Sequence, residues 1–187
     1  AWAPACVPRV GDIGGSAMGV RGLHSHVLRR LPPEERMVAL GSLAPGTIVV
    51  DGMALIRRLY TRELDWYGGG QFQALWVNVS TFVDAFSACG LRLVVFFDGG
   101  VDEAKLREWA SRRRDDLRKC QLVSKALEEG RAPEAKWWCP PLHISRVVGA
   151  AFADCGCVVR YTAGEADREM AAYCAAERCT AVLARDS

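Results

Sequence analysis

Five acidic residues follow apolar segments of strand length or open predicted helices, and carboxylates in such places can bind metal ions. We predict strands at 47–50, 91–97, 157–161 and 180–184. The carboxyl ends of parallel strands share one edge of a sheet, so side chains that follow them can converge in one crevice. Grouped carboxylates repel one another unless cations lie between them, and oxygen-only ligands favour Mg²⁺, or Mn²⁺, over Zn²⁺. The predicted ligands are Asp51, Asp98, Glu165, Asp167 and Asp186.

The same five positions have a second interpretation, which the residues alone leave open. Asp and Glu at helix starts also cap helices and stabilise the positive end of the helix dipole. Asp51 and Asp98 each end a strongly apolar segment, whereas Glu165 and Asp167 lie near one helix start. Capping explains any one of these residues, whereas five at corresponding places are harder to explain by capping alone, and the residues leave both interpretations open.

A charged helix predicted over 102–129 carries basic residues at regular spacing. Lys105, Arg112 and Lys119 recur every seven residues and so lie along one face, and the band is widened by Arg113, Arg114 and Arg118. Cations beside a metal site suit a phosphodiester, since they hold the phosphates while the metal acts on one of them. Because Glu108, Asp115 and Asp116 are interspersed, a solvated helix with internal ion pairs is the alternative.

Strand and helix alternate at least three times along the chain. Besides the charged helix, we predict helices over 71–89, from Pro140–Pro141 to Asp154, and over 165–177. The continuous apolar run 91–97 is typical of a strand that is covered on both faces. The pattern predicts an α/β fold, with a doubly wound, mostly parallel sheet and helices on both faces.

Length and composition limit the possible protein classes. The chain has 187 residues, enough for one good core, and its net charge of +2 is too small to indicate nucleic-acid binding without local clusters. Segment 1–17 is predicted to be a flexible tail or upstream extension, and 18–187 a domain truncated just after its last strand. The spacing of the eight cysteines argues against zinc and favours reduced thiols in a nuclear or cytosolic protein. No apolar run is long enough to span a membrane.

Two aromatic segments, 66–72 and 137–138, can be interpreted in two ways. Exposed aromatic rings could stack on nucleic-acid bases. Buried rings would instead anchor the edges of helices, and the residues do not distinguish these roles.

The chain resembles the XPG/flap-endonuclease superfamily, whose core is PIN-like, over about residues 18–187. Segment 18–23 (MGVRGL) is similar to the N-terminal opening of that family. Blocks 49–51 (VVD), 96–99 (FFDG), 165–167 (EAD) and 184–186 (ARD) are similar to its metal-binding blocks, with a shorter acid at Asp167. The resemblance implies a Mg²⁺-dependent phosphodiester hydrolase in which Lys105 and Arg112 contact the scissile phosphate.

Within this superfamily the chain is most similar to the group of constitutive coactivators of PPAR-gamma. The similarity rests on segment 60–72, block 96–99, Glu108–Trp109 with Arg112–Arg113, and Pro140–Pro141. It implies a nuclear protein that binds DNA or RNA, and a nuclear receptor or other transcription proteins as partners. Arg57 departs from the superfamily, in which an aromatic residue that stacks on a base is usual there. The two functions left open are a structure-specific nuclease and a non-catalytic coactivator or RNA-binding scaffold.

Overall fold

The computed structural model describes residues 29–32, 38–61, 63–101, 103–164 and 166–184. Within these ranges four strands form one parallel sheet in the order β3-β2-β1-β4. The strands are β1 (Gly46–Asp51), β2 (Leu91–Phe97), β3 (Val158–Tyr161) and β4 (Ala181–Leu183). The predicted α/β fold with a parallel sheet is confirmed.

Between these strands, the described residues form five α-helices. They are α1 (Gly52–Leu59), α2 (Phe72–Ser87), α3 (Leu106–Glu128), α4 (Ile144–Asp154) and α5 (Ala166–Glu177). The predicted start of α4 was wrong, because a turn at Leu142 and His143 follows the two prolines and the helix begins only at Ile144. His143 has a φ of 59°, a left-handed conformation that cannot belong to the helix. The charged helix α3 also begins later than predicted, after a 3₁₀ turn at Glu103–Lys105.

Helices cover both faces of the sheet, as predicted. On one face Ile48, Val50, Val95 and Phe97 pack against α1, α2 and α4 in the main hydrophobic core. On the other face the alternate residues of the same strands pack against α5, through Ala166 and Met170. Both central strands are therefore buried on both sides, which explains why their sequences are continuous apolar runs.

Helix α3 differs from the other helices because it buries little of its surface. Its one fully buried side chain is Ala126, and Val123 is partly buried against the core. Four leucines and a tryptophan of α3 remain exposed along with its charged residues. No helix in the described ranges is both long and apolar enough to cross a bilayer.

Candidate metal and nucleic-acid site

Asp51 is the last residue of β1 and also caps helix α1. Its Oδ1 accepts hydrogen bonds from the backbone N–H groups of Met53 (2.9 Å) and Ala54 (3.2 Å). Asp51 pairs with Phe96 in the register of β1 and β2, so the end of β2 lies directly beside it. The capping interpretation of this residue is correct, and capping occupies only one of its two oxygens.

Asp98 follows the end of β2 and holds the start of α5. Its Oδ1 accepts a 2.7 Å hydrogen bond from the backbone N–H of Ala166, the first residue of that helix. A carboxylate that accepts from a helix N-terminus makes a charge-assisted bond and is favoured by the helix dipole. This bond joins the β2 end to the acidic segment after β3, which are 68 residues apart.

The loop after β3 lies so close to Asp98 that only glycine fits beside it. A Cβ atom at Gly99 would lie 1.6 Å from the carbonyl oxygen of Thr162. Thr162 is buried, and its N–H donates to the carbonyl of Phe97 at 3.0 Å. Its hydroxyl, which has one proton to donate, lies 2.5 Å from the carbonyl oxygen of Gly164 and 3.3 Å from that of Phe97. Gly99 N–H donates in turn to the carbonyl of Gly164 at 3.2 Å. The close approach of Gly99 to Thr162, the Gly99–Gly164 hydrogen bond and the Thr162–Phe97 hydrogen bond thus hold the segment after β3 against the end of β2.

The carboxylates of Asp51, Asp98 and Asp167 interact electrostatically. Burial raises the pKa of Asp51 most, and the negative charges of Asp98 and Asp167 raise it further against the lowering effect of its two backbone hydrogen bonds. Asp98 and Asp167 therefore lie within electrostatic range of Asp51, at the carboxyl edge of the sheet. Even so, the described ranges contain no set of three His, Cys, Asp or Glu residues close enough to hold one metal ion. Glu165 and Asp186 lie outside the described residues, as does the opening segment 18–23.

The chemistry of these donors fits a hard divalent cation. The three described acids offer only carboxylate oxygens, which Mg²⁺ and Mn²⁺ prefer. Backbone N–H groups bind one oxygen of Asp51 and one of Asp98, which fixes the two carboxylates without using their second oxygens. A partly buried carboxylate with a raised pKa beside two others is the electrostatic arrangement that a bound cation relieves.

The basic residues of α3 form ion pairs within the helix. Arg112 pairs with Glu108, Arg113 with Asp116, and Arg118 with Asp115. Lys119 also pairs with Asp116, at 3.8 Å. These are the pairs expected from the alternative interpretation, a solvated helix with internal ion pairs, for the protein without a bound nucleic acid.

The remaining basic candidates differ in their surroundings. Arg114 is exposed and makes no hydrogen bond or ion pair with any described residue. Lys105 lies partly buried in the 3₁₀ turn that precedes α3, and Leu106 begins the helix immediately after it. Only Arg112 and Lys119 of the predicted heptad series therefore lie on α3 itself.

The aromatic segments divide between the two predicted roles. Trp66 and Trp138 are buried in the core as anchors, whereas Tyr67 and Phe72 are exposed. The guanidinium of Arg57 lies over the ring of Trp138, 5.1 Å from its centre. The position that departs from the superfamily pattern therefore holds a cation against a buried tryptophan.

Sequence reasoning missed a cation at the carboxyl edge. Arg146, in the first turns of α4, lies over the ring of Tyr161 at 4.1 Å, and Tyr161 stacks on Phe97 at 5.4 Å. Tyr161 ends β3, so this stack lies at the same edge as the acidic residues. Its only sequence signal is an arginine near a helix start, because the fold alone brings it to a tyrosine of another element.

Comparison with known sequences identifies relatives over most of the chain, although no protein-family model matches it. The chain is 33% identical over 181 residues to the constitutive coactivator of peroxisome proliferator-activated receptor gamma from Bos taurus. It is also 33% identical over 172 residues to Protein asteroid from Drosophila melanogaster. Each match covers 91% of this chain, but 26% and 19% of the respective relative. The chain thus spans about a quarter or less of these relatives.

Two solved structures share the fold. One is human GEN1 in complex with Holliday junction DNA, with a TM-score of 0.52 and 16% identity over 90% of this chain and 37% of that one. The other is the catalytic core of Rad2 in complex with DNA substrate, with a TM-score of 0.50 and 19% identity over 80% of this chain and 43% of that one. The chain is therefore a homologue of one segment of the constitutive coactivators of PPAR-gamma, and it shares its fold with the GEN1 and Rad2 structures.

Proposed function

We propose that this domain binds nucleic acid across the carboxyl edge of its sheet and holds Mg²⁺, or Mn²⁺, there. The observation that carries the proposal is the position of Asp51, whose carboxylate is partly buried at the end of β1, next to the end of β2 and within electrostatic range of Asp98 and Asp167. Repulsion between nearby carboxylates raises the free energy of the folded protein, and a bound divalent cation offsets that repulsion. In this proposal Glu165 and Asp186 complete the ligand set, directly or through water.

The proposed reaction is hydrolysis of a phosphodiester bond. A bound Mg²⁺ supplies an activated water and stabilises charge on the phosphate. Arg112 and Lys105 hold that phosphate, and Arg146 adds a third cation at the same edge. Arg112 can exchange Glu108 for a phosphate at little cost, because an exposed ion pair contributes little to stability.

The rest of the nucleic acid would lie along α3. Arg113, Arg114, Arg118 and Lys119 are proposed to contact its phosphates, and Arg114 has no described partner to give up. Such contacts release counterions, so binding through them weakens steeply as salt rises. We therefore expect Arg114→Ala to lower both the affinity and its salt dependence.

The second candidate is a non-catalytic nuclear scaffold. It is favoured by the names of the relatives, which are coactivators of a nuclear receptor. Arg57 over Trp138 also supports it, since a ring held under a guanidinium cannot stack on a base. In this alternative the same surface holds RNA or a transcription partner, and the acidic residues serve as helix caps.

Cleavage assays on the full-length protein separate the two candidates. Labelled flap, single-stranded DNA and RNA substrates are incubated with Mg²⁺ or Mn²⁺ and wild-type protein, Asp98→Asn or Asp154→Asn. Asparagine at 98 keeps an acceptor for Ala166 N–H but lacks the charge. Asp154 is a matched control, because it is exposed at the end of α4, at the opposite edge of the sheet.

The outcomes are distinct. Cleavage by wild type and Asp154→Asn that is lost in Asp98→Asn supports the nuclease. Binding without cleavage in all three proteins supports the scaffold, and absence of any nucleic-acid binding refutes the nuclease and leaves only a scaffold that holds a transcription partner. As an independent readout, Mg²⁺ should raise the melting temperature of wild type and Asp154→Asn but not of Asp51→Asn, because a ligand that binds only the folded state stabilises it.

A further inference from the structure

Two cysteines from different elements lie in contact beside the C-terminal half of α3. The Sγ atom of Cys120, on the exposed surface of α3, lies 3.6 Å from the Sγ of Cys139. Cys139 is partly buried and follows the 3₁₀ turn Ala135–Trp137. Both are free thiols. Their sulfurs are in contact without being bonded, and a disulfide bond of about 2.05 Å requires only a small further approach.

The surroundings give the two thiols different roles. Burial, together with the neighbouring Cys120 and Asp116, raises the pKa of Cys139 to about 11, against the lowering effect of Lys119. Cys139 therefore remains protonated at neutral pH. Cys120 is the sulfur that an oxidant in solution reaches, because it is the exposed member of the pair.

We propose that Cys120 and Cys139 are an oxidation site, at which a peroxide converts the two thiols into a reversible disulfide that fixes α3 to segment 135–139. The Cys120 thiol gives its proton to the solvent and its sulfur attacks one peroxide oxygen; the O–O bond breaks, Cys120 sulfenic acid forms, and the hydroxide that leaves takes up that proton as water. The sulfur of Cys139 then attacks the Cys120 sulfur, the S–O bond breaks, and the thiol proton leaves with the hydroxide as water. Two thiols lose two electrons, and the peroxide is reduced to two waters.

The disulfide would change the support of α3. In the described ranges, Val123 packs against the main core and Ala126 is the buried residue of the helix, and both lie near its C-terminal end. A bond at Cys120 adds a covalent support almost one turn closer to the N-terminal half. That N-terminal half carries Arg112–Arg114. Oxidation would therefore restrict the motion of these three arginines without altering their charge.

A second pair of thiols provides an internal comparison. Cys174 lies on α5 and Cys179 precedes β4; burial, together with the neighbouring Cys179, raises the pKa of Cys174 to about 11. Neither member is exposed. The same oxidant should therefore react with Cys120 before it reaches this second pair.

Peptide mapping tests the proposal. The native protein is treated with graded hydrogen peroxide, its remaining thiols are alkylated, and it is digested with trypsin without reduction. Cleavage after Lys119, Lys125, Lys136 and Arg146 isolates Cys120 in peptide 120–125 and Cys139 in peptide 137–146. Cys174 and Cys179 fall in two other tryptic peptides, 169–178 and 179–185. We expect a cross-linked 120–125/137–146 species that appears first and disappears with dithiothreitol.

Two variants make the result decisive. Cys120→Ser replaces an exposed residue and should abolish the cross-link, whereas Cys174→Ser should retain it at the same peroxide concentration. Cross-linked Cys120 in wild type should also slow brief tryptic cleavage at Arg112–Arg114, and Cys120→Ser should remove this protection. Two results would overturn the proposal. In the first, Cys120 and Cys139 are both still reduced, and so become alkylated, at peroxide levels that oxidise Cys174. In the second, Cys120 forms a disulfide with a second molecule.

Discussion

Replacement of Gly99 by alanine tests the contact that organises the candidate site. The added Cβ would lie 1.6 Å from the carbonyl oxygen of Thr162 and 2.8 Å from its carbonyl carbon. Both atoms belong to the backbone, so no side-chain rotation relieves the overlap. Thr162 cannot move away easily, because its N–H is bonded to the carbonyl of Phe97 and its buried hydroxyl lies within reach of the carbonyls of both Gly164 and Phe97.

The cost follows from the bonds that must break when the two segments separate. Two neutral backbone bonds are lost, from Thr162 N–H to Phe97 and from Gly99 N–H to Gly164, together with the charge-assisted bond from Ala166 N–H to Asp98. At about 1 kcal/mol for each neutral bond and about 2 kcal/mol for the charged one, the loss is about 4 kcal/mol. With an m-value of about 2 kcal/mol per molar urea, the unfolding midpoint should fall by about 2 M.

Urea unfolding monitored by far-UV circular dichroism measures this shift. Gly164→Ala is the matched control, because it lies in the same loop, has open space around the added Cβ and does not need a positive φ. Its midpoint should stay unchanged or rise slightly, since alanine restricts the unfolded chain. Equal midpoints for Gly99→Ala and wild type would refute the close approach of the two segments, and with it the described position of Asp98 beside α5.

Three further predictions concern stability. Asp51→Asn should stabilise the metal-free protein near neutral pH, because the pKa of Asp51 is raised in the folded state and its ionised carboxylate therefore lowers the stability. The gain should shrink as the pH falls through that folded pKa and vanish below the unfolded value of 3.8, as urea titrations across pH would measure. Oxidation of Cys120 and Cys139, which are 19 residues apart, should add about 3 kcal/mol, measured with and without dithiothreitol; no gain would argue against the bond. Phe152→Ala should cost about 3–5 kcal/mol by calorimetry, because the ring is fully buried; a much smaller loss would contradict its core position.

Asp51 and Asp98 were predictable as residues of the carboxyl edge, because each directly follows the buried apolar residues of a central strand. Burial on both faces makes such runs easy to recognise, and parallel pairing then brings Asp51 and Asp98 to one edge. Capping also follows from residue type, and Asp51 caps α1 as that reasoning suggests. The local pattern could not show that its second oxygen remains available, which depends on the neighbouring segments.

Features that depend on distant segments were not predictable. The approach of Gly99 to Thr162, the stack of Arg146 on Tyr161 and the meeting of Cys120 with Cys139 each join residues of different elements. Sequence patterns report one element at a time, so they carry no information about these pairs. The late start of α4 has a local cause, the left-handed backbone at His143, which residue type alone does not reveal.

The order of strands in the sheet has a consequence for how the chain folds during synthesis. Strand β1 pairs on one side with β2, which follows within the same half of the chain, but on its other side Ile48 pairs with Ala181, about 130 residues later. Until β4 emerges from the ribosome, one side of β1 has unpaired backbone groups next to fully buried apolar residues. Exposed strand edges of this kind recruit other chains, so we expect the growing polypeptide to be prone to aggregate until β4 is made.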